Sequence, residues 1–329
     1  MARQTIAAVI PVHNKGRLVA RAIASVLSQT RPVDEIIVVD DASTDDSLEQ
    51  LQPFLASGIR LLRRDQPGPG GYAARNLAIR EAKSEWIAFL DADDAWKPDF
   101  IEEISRMIAE APASTGCAFT GYETVWPDRA KRDGYSASFE GRGYRRVDFN
   151  AFVSAWIKHG SCPIWTSACA MRRELLLKAG LFPEHRCRRG GDKDLWLRAL
   201  AEADAISSSH PSATYYKETG NQVTRMEATN IRHCLSATLE QMMSEAVGRR
   251  RTLLRRLFNS EAFEYARRIG QRERVSPEIY RGFFVSLDPS RYVILLALTY
   301  MPVPLQQALR NCLLWGSSMA RKIVRQSAA

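Results

Sequence analysis

The chain has 329 residues, 45% hydrophobic and 25% charged, a soluble globular composition that excludes a fibrous or disordered chain and allows one large domain or two. Its net charge of +9 is uneven, since residues 249–329 hold 15 Lys+Arg against 5 Asp+Glu and residues 1–248 hold 31 against 32. A basic tail of that kind suits phospholipid, nucleic acid or an acidic partner.

Met1-Ala2-Arg3-Gln4 leads into a first strand, Thr5–Ile10, with no signal-peptide pattern. The turn Pro11-Val12-His13-Asn14-Lys15 follows, then Leu18, Ala22, Ile23, Val26 and Leu27 recur at helical spacing up to Thr30-Arg31-Pro32. Glu35–Val39 is a second apolar strand ending in Asp40-Asp41-Ala42, with Ser43 and Thr44 as N-caps of a helix to about Leu55. Ile59–Leu62 is a third strand, and the loop Gln66–Gly71 leads to a helix over Tyr72–Ala82. Trp86–Leu90 is a fourth strand, after which Pro98 opens a helix. Beyond it the pattern gives a strand at Gly116–Trp126, an unclear polar stretch over 127–144 and a helix at Phe149–Trp156. A strand at Thr166–Met171 and a helix from Arg172 to Ala179 come next, then a turn at Gly180–Pro183. Asp192–Ala203 is a helix entered from Arg188-Arg189-Gly190-Gly191, Ile206–Tyr216 gives one or two strands, and from Thr224 on only helices are expected.

Four alternations of strand and helix with short connections argue for a parallel sheet with helices on both faces. Polar clusters follow the first, second and fourth strands, so they share one sheet edge, the carboxyl edge where open α/β sheets bind ligands. The third cluster holds Asp91, Asp93 and Asp94 within four residues. Such crowded carboxylates repel one another unless a hard divalent cation with oxygen ligands joins them. The plain alternative is a solvated acidic loop. Asp40 and Asp41 could likewise be only a turn, Asp192 only an N-cap, Arg75 only a partner of Glu81, and His13 only a turn residue. Gly68-Pro69-Gly70-Gly71 lacks the glycine spacing of a dinucleotide loop. The six cysteines show neither Cys-x-x-Cys nor zinc-finger spacing, so they are expected to be free thiols packed in the core in a reducing cytosol.

Together, Ile10-Pro11-Val12-His13-Asn14, Val38-Val39-Asp40-Asp41-Ala42-Ser43-Thr44-Asp45, Ala74-Arg75-Asn76 and Leu90-Asp91-Ala92-Asp93-Asp94 resemble the inverting family 2 glycosyltransferases. Order and spacing match over about residues 4–100 and more weakly to about 225. The resemblance implies an α/β fold of GT-A type, a Rossmann-like mostly parallel sheet flanked by helices, and a catalytic domain at 1–223, with a nucleotide-sugar-binding half at 1–110 and an acceptor-binding half at 111–223. The tail after about 250 has no such match, and the helical pattern and charge of 224–329 make it a basic helical C-terminal extension. The resemblance also implies a nucleotide sugar, expected to be a UDP-sugar, held by Pro11, Val12, His13, Asn14, Asp40, Asp41, Arg75, Asn76, Asp91, Asp93 and Asp94. Of these, Asp41 would meet the base imide, Arg75 and Asn76 the ribose and diphosphate, and Asp91 and Asp93 a Mn²⁺ or Mg²⁺ ion. Asp192 aligns with the family's catalytic base. The family's preceding Glu is replaced here by Gly191, and its His near Glu218 is missing, so that histidine's role is not carried over.

The expected product is a cell-envelope glycan or exopolysaccharide made on a glycan or lipid-linked acceptor, because a transferase lying on a membrane through its basic tail would be well placed to meet such an acceptor. A sugar-phosphate nucleotidyltransferase is the enzymatic alternative, but it calls for a Gly-rich basic loop after the first strand, where Pro11-Val12-His13-Asn14 stands. A non-enzymatic module binding nucleic acid is the other, but the tail's aromatics cluster with each other, as in Phe283-Phe284, and do not alternate with basic residues. The tail sets apolar positions Leu253, Leu254, Leu257, Phe258, Tyr292–Tyr300, Leu305, Leu309, Leu313, Leu314 and Trp315 beside Arg249–Arg251, Arg255, Arg256, Arg267, Arg268, Arg272, Arg274, Arg321, Lys322 and Arg325. Its longest apolar run is too short to span a bilayer, so the expectation is helices lying on an anionic membrane surface. The expected location is cytoplasmic and, through the tail, peripheral on the inner face of the cytoplasmic membrane. A homo-oligomer is the other use of such a tail.

Overall fold

The computed structural model describes residues 3–187, 189–217 and 230–306. Arg188, Glu218, Thr224, Leu309, Cys312, Leu313, Leu314, Trp315, Arg321, Lys322 and Arg325 therefore lie outside the described residues. The chain divides into two compact units, Met1–Arg225 and Met226–Ala329.

In the first unit the elements run β1 (Ile6–Val12), α1 (Gly16–Leu27), β2 (Glu35–Asp41), α2 (Ser47–Leu51), β3 (Ile59–Arg64), α3 (Tyr72–Glu81), β4 (Trp86–Phe89), β5 (Ala95–Trp96) and α4 (Phe100–Glu110). They continue with β6 (Thr115–Trp126), β7 (Arg129–Arg132), α5 (Gly134–Ala137), β8 (Arg145–Val147), α6 (Phe149–His159), β9 (Cys169–Arg172), α7 (Arg173–Lys178), α8 (Gly191–Glu202) and β10 (Asp204–Tyr216). One sheet takes the order β3-β2-β1-β4-β9-β6-β10-β5, with β7 on β6 and β8 on β10. The pairs β3–β2, β2–β1, β1–β4 and β6–β10 are parallel, and β9 runs antiparallel between β4 and β6. The expected mostly parallel sheet flanked by helices is therefore present.

Both faces of its centre are covered, which is why β1, β2 and β4 read as unbroken apolar runs. Ile6, Ala8, Ile10, Val38, Trp86 and Ala88 join Val19, Ile23 and Val26 of α1 and Phe100, Ile104 and Met107 of α4 in one core. On the β4 residue between, Phe89 meets Phe182 edge-on at 5.6 Å and Trp196 of α8 at 5.7 Å. Truncating the fully buried Phe89 to Ala would cost about 3–5 kcal/mol.

Several local expectations shift. The helix expected from Ser43 starts only at Ser47, because Ser43 and Thr44 bond to Asn14 and Asp45 accepts from the Ser47 amide at 3.0 Å. It gives way to a 3-10 run over Gln52–Ser57, where Pro53 cannot continue an α-helix. Pro98 precedes α4 and is no part of it, since Ala95 and Trp96 first pair with β10. The 127–144 stretch forms a hairpin strand and a short helix capped by Asp133, which accepts from Ser136 at 2.8 Å. Thr166–Ala168 is a 3-10 turn, so only Cys169–Arg172 is strand. Ile206–Tyr216 lies in one long strand, whose register shifts around Pro211. Cys117 and Cys169 are buried free thiols, but Cys187 is disulfide-bonded, against the free-thiol expectation. Spacing along the chain does not report which sulfurs meet in space.

The second unit contains α9 (Leu235–Glu245), α10 (Gly248–Ile269) and α11 (Pro289–Tyr300), and no strand among its described residues. Leu239, Leu254, Leu257, Phe258, Ala262, Ile279 and Leu295 are buried in it. The Asn259 amide exchanges two 2.9 Å hydrogen bonds with the Phe284 backbone. Cys234, just ahead of α9, is disulfide-bonded. No helix of the described residues is long and apolar enough to cross a membrane.

Candidate functional site

Register fixes the site. Val12 of β1 pairs with Asp40 of β2, and the Leu90 amide donates to the Val9 carbonyl at 3.0 Å, so residues 13–15, 41–46 and 91–94 leave the sheet at the same edge. Asn14 takes a left-handed φ of 52°, which Asn tolerates better than most residues. Its amide donates to Ser43 Oγ at 3.1 Å, and its Oδ1 accepts from the Thr44 amide at 2.8 Å, bracing the first loop on the second. His13 is exposed, with Nδ1 2.8 Å from the Asp41 carbonyl oxygen.

Asp41 is buried. One carboxylate oxygen pairs with Arg64 and the other accepts the Gly68 amide at 3.1 Å. Asp40, also buried, accepts the Ser43 amide at 3.3 Å. A carboxylate has about four lone-pair sites, so Asp41 keeps accepting capacity beside these bonds. The loop after β3 is set by two consecutive left-handed glycines, Gly70 and Gly71, both at φ 67°. It packs near Pro11, and the Gly70 carbonyl accepts from Arg75 at 3.0 Å.

Arg75, buried on α3, pairs with Asp91 and not with Glu81, which pairs with Arg60. Its Nε–H is buried without a hydrogen-bond partner among the described residues, a donor left over where an anionic ligand is expected. Asn76 is 1% exposed, and its amide exchanges two 2.9 Å hydrogen bonds with the backbone of Phe182. This ties down Leu181, whose φ of 61° is strained for a leucine. Asn76 thus acts as a structural latch here, the counterpart of Asn259.

Asp91, Asp93 and Asp94 offer carboxylate oxygens within 4.8 Å of one another. Lys15 Nζ donates to Asp93 Oδ2 at 2.9 Å, and Arg21 donates to the Asp93 carbonyl at 2.8 Å. Asp94 is 1% exposed and accepts from Ser167 Oγ at 2.9 Å and from the Tyr216 amide at 3.3 Å. Burial, then the charges of Asp91 and Asp93, push its carboxyl well above the usual range. Crowded oxygen donors with an internal charge conflict fit a hard divalent cation. Lys15 and Arg75 lie against these carboxylates and offset part of their repulsion.

α8 brings in the last carboxylates. Asp192 is half-buried in its first turn, and its charge acts on Tyr72 and Arg75, as does that of Asp91. Asp194 is fully buried, and its Oδ2 accepts from Arg198 Nε at 3.0 Å and Nη2 at 2.7 Å. Arg198 also donates to the carbonyls of Ala179 and Leu181. Asp194 is therefore taken up by these bonds, and Asp192 is the more open of the two.

Sequence reading missed Lys15, Arg21, Arg64, Tyr72 and Ser167. Lys15 and Arg64 carried a signal, since each ends or follows a strand at the ligand-binding edge. Arg21, whose guanidinium lies 3.6 Å from the Tyr216 ring centre, and Ser167, which accepts from the Asp91 amide at 3.1 Å, carried none.

Comparison with known proteins agrees with this architecture. TuaG of Bacillus subtilis, a putative teichuronic acid biosynthesis glycosyltransferase, is 32% identical over 130 residues, covering 39% of this chain and 50% of that protein. The chain spans about a third of the length of the first curated relatives it matches. The structure of S. aureus TarS 1–349 with UDP-GlcNAc superimposes with a TM-score of 0.65 at 17% identity, covering 81% of this chain and 80% of that one. The mannosyltransferase PcManGT from Pyrobaculum calidifontis, in complex with GDP-Man and Mn²⁺, gives 0.56 at 16% identity, covering 94% and 85%. The GT-A arrangement of sheet and helices is shared with these structures. The family model for glycosyl transferase family 2 matches residues 7–179, more than half of the 329-residue chain, and the chain belongs to that family.

Proposed function

We propose that this chain moves a glycosyl group from a nucleoside-diphosphate sugar, a UDP-sugar, to a hydroxyl of a glycan or lipid-linked acceptor, with inversion and with Mn²⁺ or Mg²⁺. The observation that carries this reading is the convergence of Asp91, Asp93 and Asp94 with Arg75, on which the charge of Asp192 also acts. Residues 1–110 would hold the donor and 111–223 the acceptor. His13 and Asp41 would meet the base, with Asp40 and Asn14 shaping the loops around it. Asp91 and Asp93 would hold the cation, with the buried Asp94, held by Ser167 and the Tyr216 amide, behind them. When bound, that ion supplies charge neutralisation of the diphosphate. Arg75 and Lys15 lie beside its ligands and would add cationic donors to the leaving group.

Asp192 would take the proton of the acceptor hydroxyl as its oxygen attacks the anomeric carbon. The bond from that carbon to the diphosphate breaks on the opposite face, and the electron pair leaves with the diphosphate. TarS with UDP-GlcNAc supports a UDP-sugar, PcManGT with Mn²⁺ supports the ion, and the name of TuaG supports a cell-envelope polysaccharide.

The second unit would hold the enzyme on an anionic membrane surface. Most of its apolar helix faces close on each other, including Leu254, Leu257 and Phe258, so those are unavailable to lipid. Val293 at 64%, Tyr300 at 69% and Leu305 at 50% remain exposed on or just beyond α11. Arg249–Arg251 occupy the first turn of α10, where the helix dipole disfavours cations, which points to a use other than stability.

The test is a panel of nucleotide sugars, with UDP-, GDP- and dTDP-linked members, screened by thermal shift with Mn²⁺ and then by release of the nucleoside diphosphate. One donor should raise the melting midpoint and be turned over only with the metal. A protein that binds none of them, with or without metal, would overturn the reading.

A further inference from the structure

Tyr72, the first residue of α3, is 5% exposed, and its phenol oxygen accepts the Gly191 amide at 2.9 Å. No acceptor for the phenol's own hydrogen is found among the described residues. The ring is held rigidly, stacked on Phe182 at 5.8 Å and 11°, while Phe182 meets Phe89 and Trp196 edge-on. A Cβ built on Gly191 would lie 2.8 Å from Tyr72 Cζ, 2.9 Å from Cε2 and 3.1 Å from Pro183 Cγ. These are atoms of a locked ring and a proline, not the ends of flexible side chains, so no side chain fits at 191 while Tyr72 stands. The glutamate expected there by resemblance has no room.

Position 191 is one residue ahead of Asp192. Burial, then the charge of Asp192, raise the phenol's pKa, so it remains a neutral hydroxyl next to that carboxylate.

We propose that Tyr72 is a positioning residue for the base. Its oxygen clamps the amide that leads into Asp192, and its ring clears position 191, so the carboxylate is presented in one orientation to the acceptor hydroxyl. Tyr72 and Gly191 form a matched pair that replaces a second carboxylate at this helix start. This rests on the reading of Asp192 as the base.

The test uses the full chain and the nucleotide sugar that the wild type binds most tightly in the panel, with Mn²⁺. Donor affinity is read by calorimetry, turnover by release of the nucleoside diphosphate, and folding by thermal melting. Tyr72→Phe keeps the ring and loses the clamp. It should melt with the wild type, keep donor Kd within about two-fold, and lose about 10-fold in kcat, since small misplacements of catalytic groups are costly. Gly191→Ala should lose about 10-fold or more in kcat in the wild-type background, and less than about two-fold more when added to Tyr72→Ala, where the ring is gone. Wild-type kcat in Tyr72→Phe, or an equal cost of Gly191→Ala in both backgrounds, would overturn the clamp. Failure of the functional reading looks different, because then the wild type itself binds and turns over no donor.

Discussion

Two aspartates of α8 sit two residues apart, and the structure assigns them opposite fates on mutation. In Asp194→Asn the Arg198 guanidinium loses its charge partner in a place where Asp194 is fully buried and the Arg198 side chain only 21% exposed. Breaking a buried pair by removing one partner costs about 3–5 kcal/mol, and the partial exposure of Arg198 together with its two carbonyl acceptors argues for about 3 kcal/mol. For a unit of this size that is roughly 6–12 °C in melting midpoint. Asp192→Asn keeps the side chain's shape, caps no helix and breaks no ion pair found among the described residues, so its midpoint should stay within about 1 °C. What it loses is the ability to take a proton. Turnover should drop by about 10²-fold or more, equivalent to about 2.7 kcal/mol of barrier, with donor affinity retained. Both variants are melted by calorimetry and assayed for donor turnover well below the lower midpoint. Wild-type turnover in Asp192→Asn, or a chemical defect in Asp194→Asn that persists where it is folded, would refute the assignment.

Asp93→Ala should abolish Mn²⁺ binding, read by electron paramagnetic resonance of the free ion, and Asp91→Ala should do the same. Each should also lose about 2–3 kcal/mol in denaturant titration, because the first strands Lys15 and the second the buried Arg75. Lys15→Ala, which removes the cation seated on Asp93, should tighten Mn²⁺ binding severalfold without donor. The raised pKa of Asp94 means the folded state holds a proton that the unfolded state releases, so the metal-free protein should lose stability as pH rises above the ordinary carboxylate value. Asp94→Asn should abolish that slope and melt higher than the metal-free wild type at neutral pH, the gap closing toward pH 4; equal slopes would refute it. In flotation with anionic liposomes the full chain should rise at low salt and not at high salt, whereas a chain ending near residue 225, the limit of the first compact unit, should stay down in both.

The sequence by itself determined the alternation of strands and helices, the buried centre of the sheet and the edge at which the site lies. These follow from local periodicity, and a parallel sheet has one carboxyl edge on which Asn14, Asp41 and Asp91 must come together. It could not separate ligand-facing side chains from structural ones, because that depends on partners far away in the chain. Asn76 is spent on Phe182, 106 residues on, and Asp194 is spent on a guanidinium that also holds the turn at Ala179 and Leu181. Nothing local to Asn76 or Asp194 distinguishes them from Arg75 or Asp192. Only the tertiary structure decided why position 191 is glycine, since the space for a side chain there is taken by Tyr72, 119 residues earlier. A vacancy or a clash is a property of packed volume, and no periodicity in the sequence encodes it.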